Sequence, residues 1–306
     1  MELRHLRYFM AVAEELHFSK AAERLHIAQP PLSQQIQQLE AELGVELFQR
    51  KTKRQVQLTD AGKVFLQEAY QLFVQLEQAI QVTRRVGRGE AGQLRVGFIS
   101  SVTYDVLPVI LRQFRERFPD VELVLIELTT IEQEQALREN RIEVGFVHPP
   151  LGDDNLACEC VQQQPLIVAL PEGHRLTLQK KVKISQLVEE SFVLFPRQKG
   201  LGLYDRILTL CQQANFTPKI GQQAIQMQTM IGLVSAGMGI AIIPSCLQNL
   251  QRSGVVYRCF EEETPLVEVA LAWRDGEETP ILRQFLQITR LVCNQLESHA
   301  LGGKFD

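Results

Sequence analysis

The 306-residue sequence has no long apolar run. Met1 to Phe9 mixes Glu2, Arg4, His5 and Arg7 with its hydrophobic side chains, so it lacks the uninterrupted core of an export signal. Nothing approaches the roughly 20 apolar residues that cross a bilayer, and the expectation is a cytoplasmic chain with no membrane partner. Positive charge is not in excess either: the net charge of −4 excludes a protein wrapped in nucleic acid along its length, so any DNA contact must be a local patch. The six cysteines, at 158, 160, 211, 246, 259 and 293, show neither zinc spacing nor a CxxC pair, and in a reducing compartment they read as free thiols. A nucleophile elbow, a glycine-rich phosphate loop and a metal cluster are all missing, which argues against an enzyme and against any metal or cofactor. GRGEAG at Gly87 to Gly92 does not follow a strand and reads as a linker; His174 stands alone, as a surface histidine does.

What is present begins with a chain too long for one core, 45% apolar and 22% charged, hence two or three globular domains. Ser19 to Gly44 reads as two helices joined by a sharp turn. Ser19 is expected to cap the first, which runs through Ala21, Ala22 and Leu25. His26 to Gln29 form the turn, and Pro30 and Pro31 fit only a first helical turn, so a second helix begins there and stops at Gly44. Its apolar stripe is Leu32, Ile36, Leu39 and Leu43, and the opposite face carries Ser33, Gln34, Gln35, Gln37 and Gln38. Glutamine can bond an adenine edge twice and serine can meet several edges, which makes this a candidate base-reading face. An earlier helix, Leu3 to Leu16, covers the pair with Leu6, Phe9, Ala13 and Leu16. Arg50, Lys51, Lys53 and Arg54 lie between short apolar runs and suit a hairpin wing resting on phosphate.

Thr59 and Asp60 can cap a long helix to Gly87, roughly 40 Å at 1.5 Å per residue. Its seam of Phe65, Ala69, Leu72, Leu76, Ala79, Thr83 and Val86 alternates steps of four and three, the mark of paired helices. A seam of that length needs a partner, so self-association as a dimer is expected, with two recognition helices about one DNA turn apart on a pseudo-palindromic site. Gly87, Gly89 and Gly92 with Arg84, Arg85 and Arg88 read as a hinge.

From Gln93 on, strands alternate with helices. LRVGFI, VELVLIEL and IEVGFV are apolar strands of a parallel sheet, and PLIVAL, SFVLF, GIAIIP and VEVALAW continue the pattern. The expected architecture is an N-terminal all-α winged helix-turn-helix (1–58), a dimerising linker helix and hinge (59–91), and a C-terminal two-lobed α/β sensor domain (92–306). Lobe I is about 92–162 and 268–306, lobe II about 163–267, with crossings near Gln162 to Gln164 and Pro265 to Glu268; the last helix, Ile281 to Leu296, returns to lobe I. Ligands of such sheets sit at the carboxyl ends of strands. Those ends are Ser100 and Ser101, Thr129 and Thr130, and His148 in lobe I, with Gln198 to Tyr204 and Gln226 to Gln228 in lobe II. Hydroxyls, amides and helix starts with few fixed cations suit a small carboxylate.

AAERLHIAQPPLSQQIQQLEAELGVELFQR, with LTDAG at Leu58 to Gly62, resembles the winged helix-turn-helix of the LysR-type transcriptional regulators, and most closely the members that control aromatic and chlorocatechol breakdown. The resemblance continues over the whole chain and implies a two-lobed, periplasmic-binding-protein-like sensor, a tetramer built as a dimer of dimers, double-stranded promoter DNA as partner, and contact with RNA polymerase. It implies DNA contacts from Ser19, Gln29, Pro30, Pro31, Ser33, Gln34, Gln35 and Gln37. In muconate-responsive members a serine, a threonine and a loop hold the acid, and Ser101, Thr130 and Gly200, Leu201, Gly202 and Leu203 occupy the matching places, with Gln228 nearby. Where those members carry an arginine, this chain has His148, so its cleft is expected to be less cationic. His148 could titrate near neutral pH or be a plain loop residue. Peroxide-sensing relatives suggest the alternative of thiol sensing through Cys211.

Overall fold

The structure is a computed structural model and describes residues 1–50, 56–199 and 201–302. It separates into two units, Met1–Arg84 and Arg85–Asp306. In the first, helix α1 (Leu3–Glu15), α2 (Phe18–Arg24) and α3 (Gln29–Leu43) are followed by the hairpin strands β1 (Phe48–Arg50) and β2 (Val56–Leu58) and the long helix α4 (Asp60–Gly87). The core is aromatic: Phe9 lies 5.3 Å from Phe48 and 5.0 Å from Phe65, ring centre to ring centre. Leu32, Ile36 and Leu39 of α3 close it. Glu40 fastens the turn after α3, its carboxylate accepting from the N–H groups of Leu47 and Phe48 at 2.8 and 3.1 Å.

Two local expectations shift. Ser19 is not the cap of α2: the helix starts at Phe18, and the His17 ring accepts the Lys20 N–H instead. The reason is packing, because Phe18 must bury its ring beside Phe48 and so draws the helix start toward itself. Leu16 does not join the seam of α1 but ends it in a left-handed conformation, φ 49°. The start of α4 follows expectation, with Thr59 Oγ accepting the Gly62 N–H at 2.9 Å.

The second unit begins with β3 (Ala91–Phe98), a 3-10 turn (Ser100–Tyr104), α5 (Val106–Arg117), β4 (Asp120–Glu127), α6 (Thr130–Arg138), β5 (Val144–Val147) and β6 (Leu156–Gln164). It continues with β7 (Leu166–Pro171), β8 (Lys181–Val182), β9 (Ser191–Leu194), α7 (Leu201–Gln213), β10 (Lys219–Gln223), α8 (Met227–Ser235), β11 (Ala241–Pro244), β12 (Val255–Phe260), β13 (Val267–Arg274) and α9 (Pro280–Gly302). Lobe I is a five-stranded sheet in the order β4-β3-β5-β13-β6. β4, β3 and β5 are parallel as expected, but β13 runs antiparallel to β5 and to β6, so the full sheet is mixed. The cause is the double crossing: β6 leaves for lobe II and β13 comes back beside it, with Gln164 paired to Val267. Lobe II carries β11-β7-β12-β8 and the parallel pair β10-β9. α9 returns to lobe I, Phe285 packing 5.3 Å from Phe114.

The glycine-rich stretch is not a loose hinge. Gly89 (φ 72°) in the turn after α4 and Gly92 (φ 129°) at the beginning of β3 both press on the start of α9, where a Cβ on Gly89 would collide with the Pro280 carbonyl and one on Gly92 with the Ile281 side chain. The division between units falls earlier, inside α4. Among the described residues no helix is long and apolar enough to cross a membrane.

Candidate functional site

The face of α3 opposite its buried stripe carries Pro30, Pro31, Gln34 and Gln37 exposed, with Gln29 and Ser33 half-buried. Both prolines lie in the first turn, where their missing N–H groups cost nothing. Gln35 departs from the expected open face: its Oε1 lies 2.7 Å from Nε2 of His5, which is 3% exposed. The Glu2 N–H, which can only donate, meets His5 Nδ1 at 3.2 Å, so Nε2 carries the ring proton and Gln35 accepts it. The Gln35 amide is therefore turned with its NH₂ outward. Ser19 sits in the first turn of α2. Arg50 ends β1, whereas Lys51, Lys53 and Arg54 lie outside the described residues.

In the second unit a cleft of about 450 Å³, counting its solvent-filled mouth, lies between the lobes. Lobe I contributes Ser100, Ser101, Thr129, Thr130 and His148, all five of the expected residues; lobe II contributes Leu203 with Phe195, Lys199, Ile225, Gln226 and Met227. Four expectations fail to reach it or cannot be placed. Gln228 points to solvent, because Gln226 and Met227 already form the start of α8. Gly202 is used for close packing, since a Cβ there would strike the Pro149 carbonyl, and Leu201 shares with it a separate depression beside Arg206 and Pro265. Gly200 lies outside the described residues.

His148 is fixed from three sides. Its N–H donates to Thr130 Oγ1 at 3.1 Å, its Nδ1 meets the Glu268 carbonyl at 2.8 Å, and its Nε2 lies 3.2 Å from Ser101 Oγ. Burial penalises the charged ring and lowers its pKa to about 4. His148 is thus neither a switch near neutral pH nor a plain loop residue; it is a neutral strut that joins β5 to the crossing strand β13. Thr129 caps α6 through a reciprocal pair with Glu132, whose carboxylate is held below the usual range by the Thr129 N–H and hydroxyl and by Lys199. Lys199 Nζ reaches across the cleft to Glu132 Oε1 at 3.0 Å.

Glu127 is a cleft residue that the search for hydroxyls and amides leaves out, although it ends β4 and so meets the same strand-end rule that selects Thr129. Lys199 falls inside the expected stretch Gln198 to Tyr204 and is the residue of it that brings a charge to the cleft. The alternative of thiol sensing finds no support in geometry: Cys211 is 0% exposed within the lobe II core, and burial pushes its thiol up to about 12, where no reactive thiolate forms.

Residues 3–63 match the family described as bacterial regulatory helix-turn-helix protein, lysR family, and residues 87–293 match the LysR substrate binding domain. The chain is 42% identical over 295 residues to the HTH-type transcriptional regulator AlsR of Bacillus subtilis (strain 168), covering 96% of this chain and 97% of that one. It is 36% identical over 297 residues to the HTH-type transcriptional regulator CatR of Pseudomonas putida, covering 97% and 100%. A crystal structure of full-length CbnR complexed with target DNA superposes with a TM-score of 0.83 at 29% identity, covering 96% of this chain and 100% of that one. These relatives are named as regulators, not as enzymes. With a helix-turn-helix in its first unit and, in its second, two lobes with a partly open cleft between them, the chain belongs to the LysR family of DNA-binding transcriptional regulators.

Proposed function

We propose that this regulator works in the cytoplasm as a homodimer, paired into a tetramer, on a pseudo-palindromic promoter site, and that a small carboxylic acid bound between its lobes resets its hold on the DNA and on RNA polymerase. The observation that carries the ligand class is the make-up of the lobe II wall. Lys199 and the start of α8, which among the described residues no side chain caps, both face a cavity lined mainly by apolar groups. An ammonium and unpaired helix N–H groups favour an anion, and apolar walls favour one with a carbon body. For DNA, Gln29, Pro30, Ser33, Gln34 and Gln37 touch bases or neighbouring phosphates, and Arg50, Lys53 and Arg54 supply phosphate contacts.

A thermal-shift screen of the full-length chain tests the ligand class. The panel holds aromatic and aliphatic acids, sugar phosphates and nicotinamide cofactors. A ligand present at 100 times its Kd stabilises the folded state by about 2.7 kcal/mol. An acid should raise the melting point, and Lys199→Ala should abolish that rise; a rise with sugar phosphates or nicotinamide cofactors alone would sink the carboxylate reading.

A further inference from the structure

The two hydroxyls that a carboxylate in this cavity would first be expected to use have already committed their protons. The Glu268 carbonyl can only accept, so His148 carries its ring proton on Nδ1, 2.8 Å from that oxygen. The neutral ring then has a bare Nε2, and Ser101 Oγ, 3.2 Å away, is its donor. Thr129 Oγ1 donates to the Glu132 carboxylate at 2.8 Å. What Ser101 and Thr129 can still offer a ligand is lone pairs. Ser100 and Thr130 keep hydroxyls that can turn either way, since the Thr130 oxygen only accepts the His148 N–H. The fixed charge on this wall is the Glu127 carboxylate.

The opposite wall has the reverse character. Lys199 spends one of its three protons on Glu132 and keeps two. The start of α8 at Met227 adds donors and none of the opposing acceptors. Ile99, Leu128, Phe195 and Ile225 lie among these polar groups and make the rest of the lining apolar. A molecule spanning the cleft therefore meets the Glu127 charge, the Ser101 and Thr129 lone pairs and two hydroxyls free to turn on lobe I, and the Lys199 ammonium and the α8 N–H groups on lobe II. A dicarboxylate would press its second anion against Glu127, and an unsubstituted acid would leave the lone pairs of the buried Ser101 hydroxyl without a donor.

We propose that the cleft selects an acid that carries a hydrogen-bond donor, an ammonium or hydroxyl group, at the end away from its carboxylate. The carboxylate faces Lys199 and the start of α8, and the donor faces Glu127 and Ser101. This rests on the carboxylate reading above and narrows it.

Titration calorimetry on the full-length protein with butyrate, γ-hydroxybutyrate, γ-aminobutyrate and succinate tests it, with the shorter set propionate, lactate, alanine and malonate run in parallel. In at least one set the donor-bearing acid should bind about ten-fold or more tighter than the unsubstituted acid, which is about 1.4 kcal/mol, with the dicarboxylate weakest. Glu127→Gln, a change at an exposed position whose folding is checked by melting temperature, should weaken the amino acid about ten-fold and leave the hydroxy acid within about two-fold. It should also tighten the dicarboxylate. The unsubstituted acid or the dicarboxylate binding tightest to the wild type would overturn the donor requirement and leave the carboxylate reading standing. Binding of a neutral diol in preference to every acid would overturn both. Absence of heat from all of these acids would overturn the chemical class proposed here.

Discussion

His5 and His148 are both buried histidines whose backbone partners settle which nitrogen carries the proton, and each settles what a neighbouring polar side chain can do. At His5 the consequence is for DNA. With its carbonyl occupied, Gln35 can donate from its NH₂ but cannot pair both functions with an adenine edge. His5→Ala should release the amide and change base preference at one position per half-site while leaving the salt slope of DNA binding unaltered, as read by selection of binding sites at two salt concentrations. An unchanged base preference at every position would instead place Gln35 away from the base edges. At His148 the consequence is for stability. Its folded pKa of about 4 lies below the ordinary value of 6.5, so the unfolded chain binds the proton more readily. The stability contributed is complete above pH 6.5 and is lost as pH falls toward 4, about 2 kcal/mol of it by pH 5. Urea unfolding at pH 7 and pH 5 should show that loss, and His148→Gln should remove most of it. The sequence displays Ser101, Thr129 and His148 at strand ends, and their convergence was legible. The direction of their protons was not, because the deciding carbonyl belongs to Glu268, 120 residues further along the chain.

Elements announced by strong local chemistry were the most legible. The double proline places the start of α3, and the apolar runs place β3, β5, β7 and β13, whose side chains are mostly buried. β6, β10 and β12 escaped notice for a physical reason. β10 is exposed along its length, and β6 buries only Leu156, Val161 and Gln164, a spacing with no period of two for the sequence to display. Glycine misled in the opposite way, since a cluster of glycines suggests a flexible joint when the fold uses it for close approach. Gly89 combines a left-handed φ of 72° with contact against the Pro280 backbone, so neither a Cβ nor a conformational escape is available. Gly89→Ala should destabilise the second unit by about 2 kcal/mol or more, visible as a lower urea midpoint. Gly87→Ala, where a Cβ meets nothing, is the matched control and should be neutral or slightly stabilising.

For the whole molecule, the question is what the exposed seam of α4 is for. The heptad pattern runs from Phe65 to Val86, yet of its residues only Ala69 is fully buried within the chain, while Leu72 and Val86 are 46% and 50% exposed. A single chain would gain about 25 cal/mol for each Å² of this stripe it covered, and its own fold leaves the stripe bare. A second copy presents the same stripe in a self-complementary way and can cover it. The same pairing bears on DNA affinity. With a net charge of −4, a lone unit has little general attraction to phosphate, so tight binding depends on two recognition faces acting together. Leu72→Asp combined with Leu76→Asp would bury like charges across that seam. Sedimentation equilibrium should then show a smaller assembly, and affinity for a two-half-site promoter fragment should fall about a hundred-fold. Binding to a single half-site should change little, because α3 and its supporting core are untouched. If the assembly kept its mass while DNA binding was lost, α4 would be contributing to the shape of the DNA-binding unit and self-association would have to arise elsewhere on the chain.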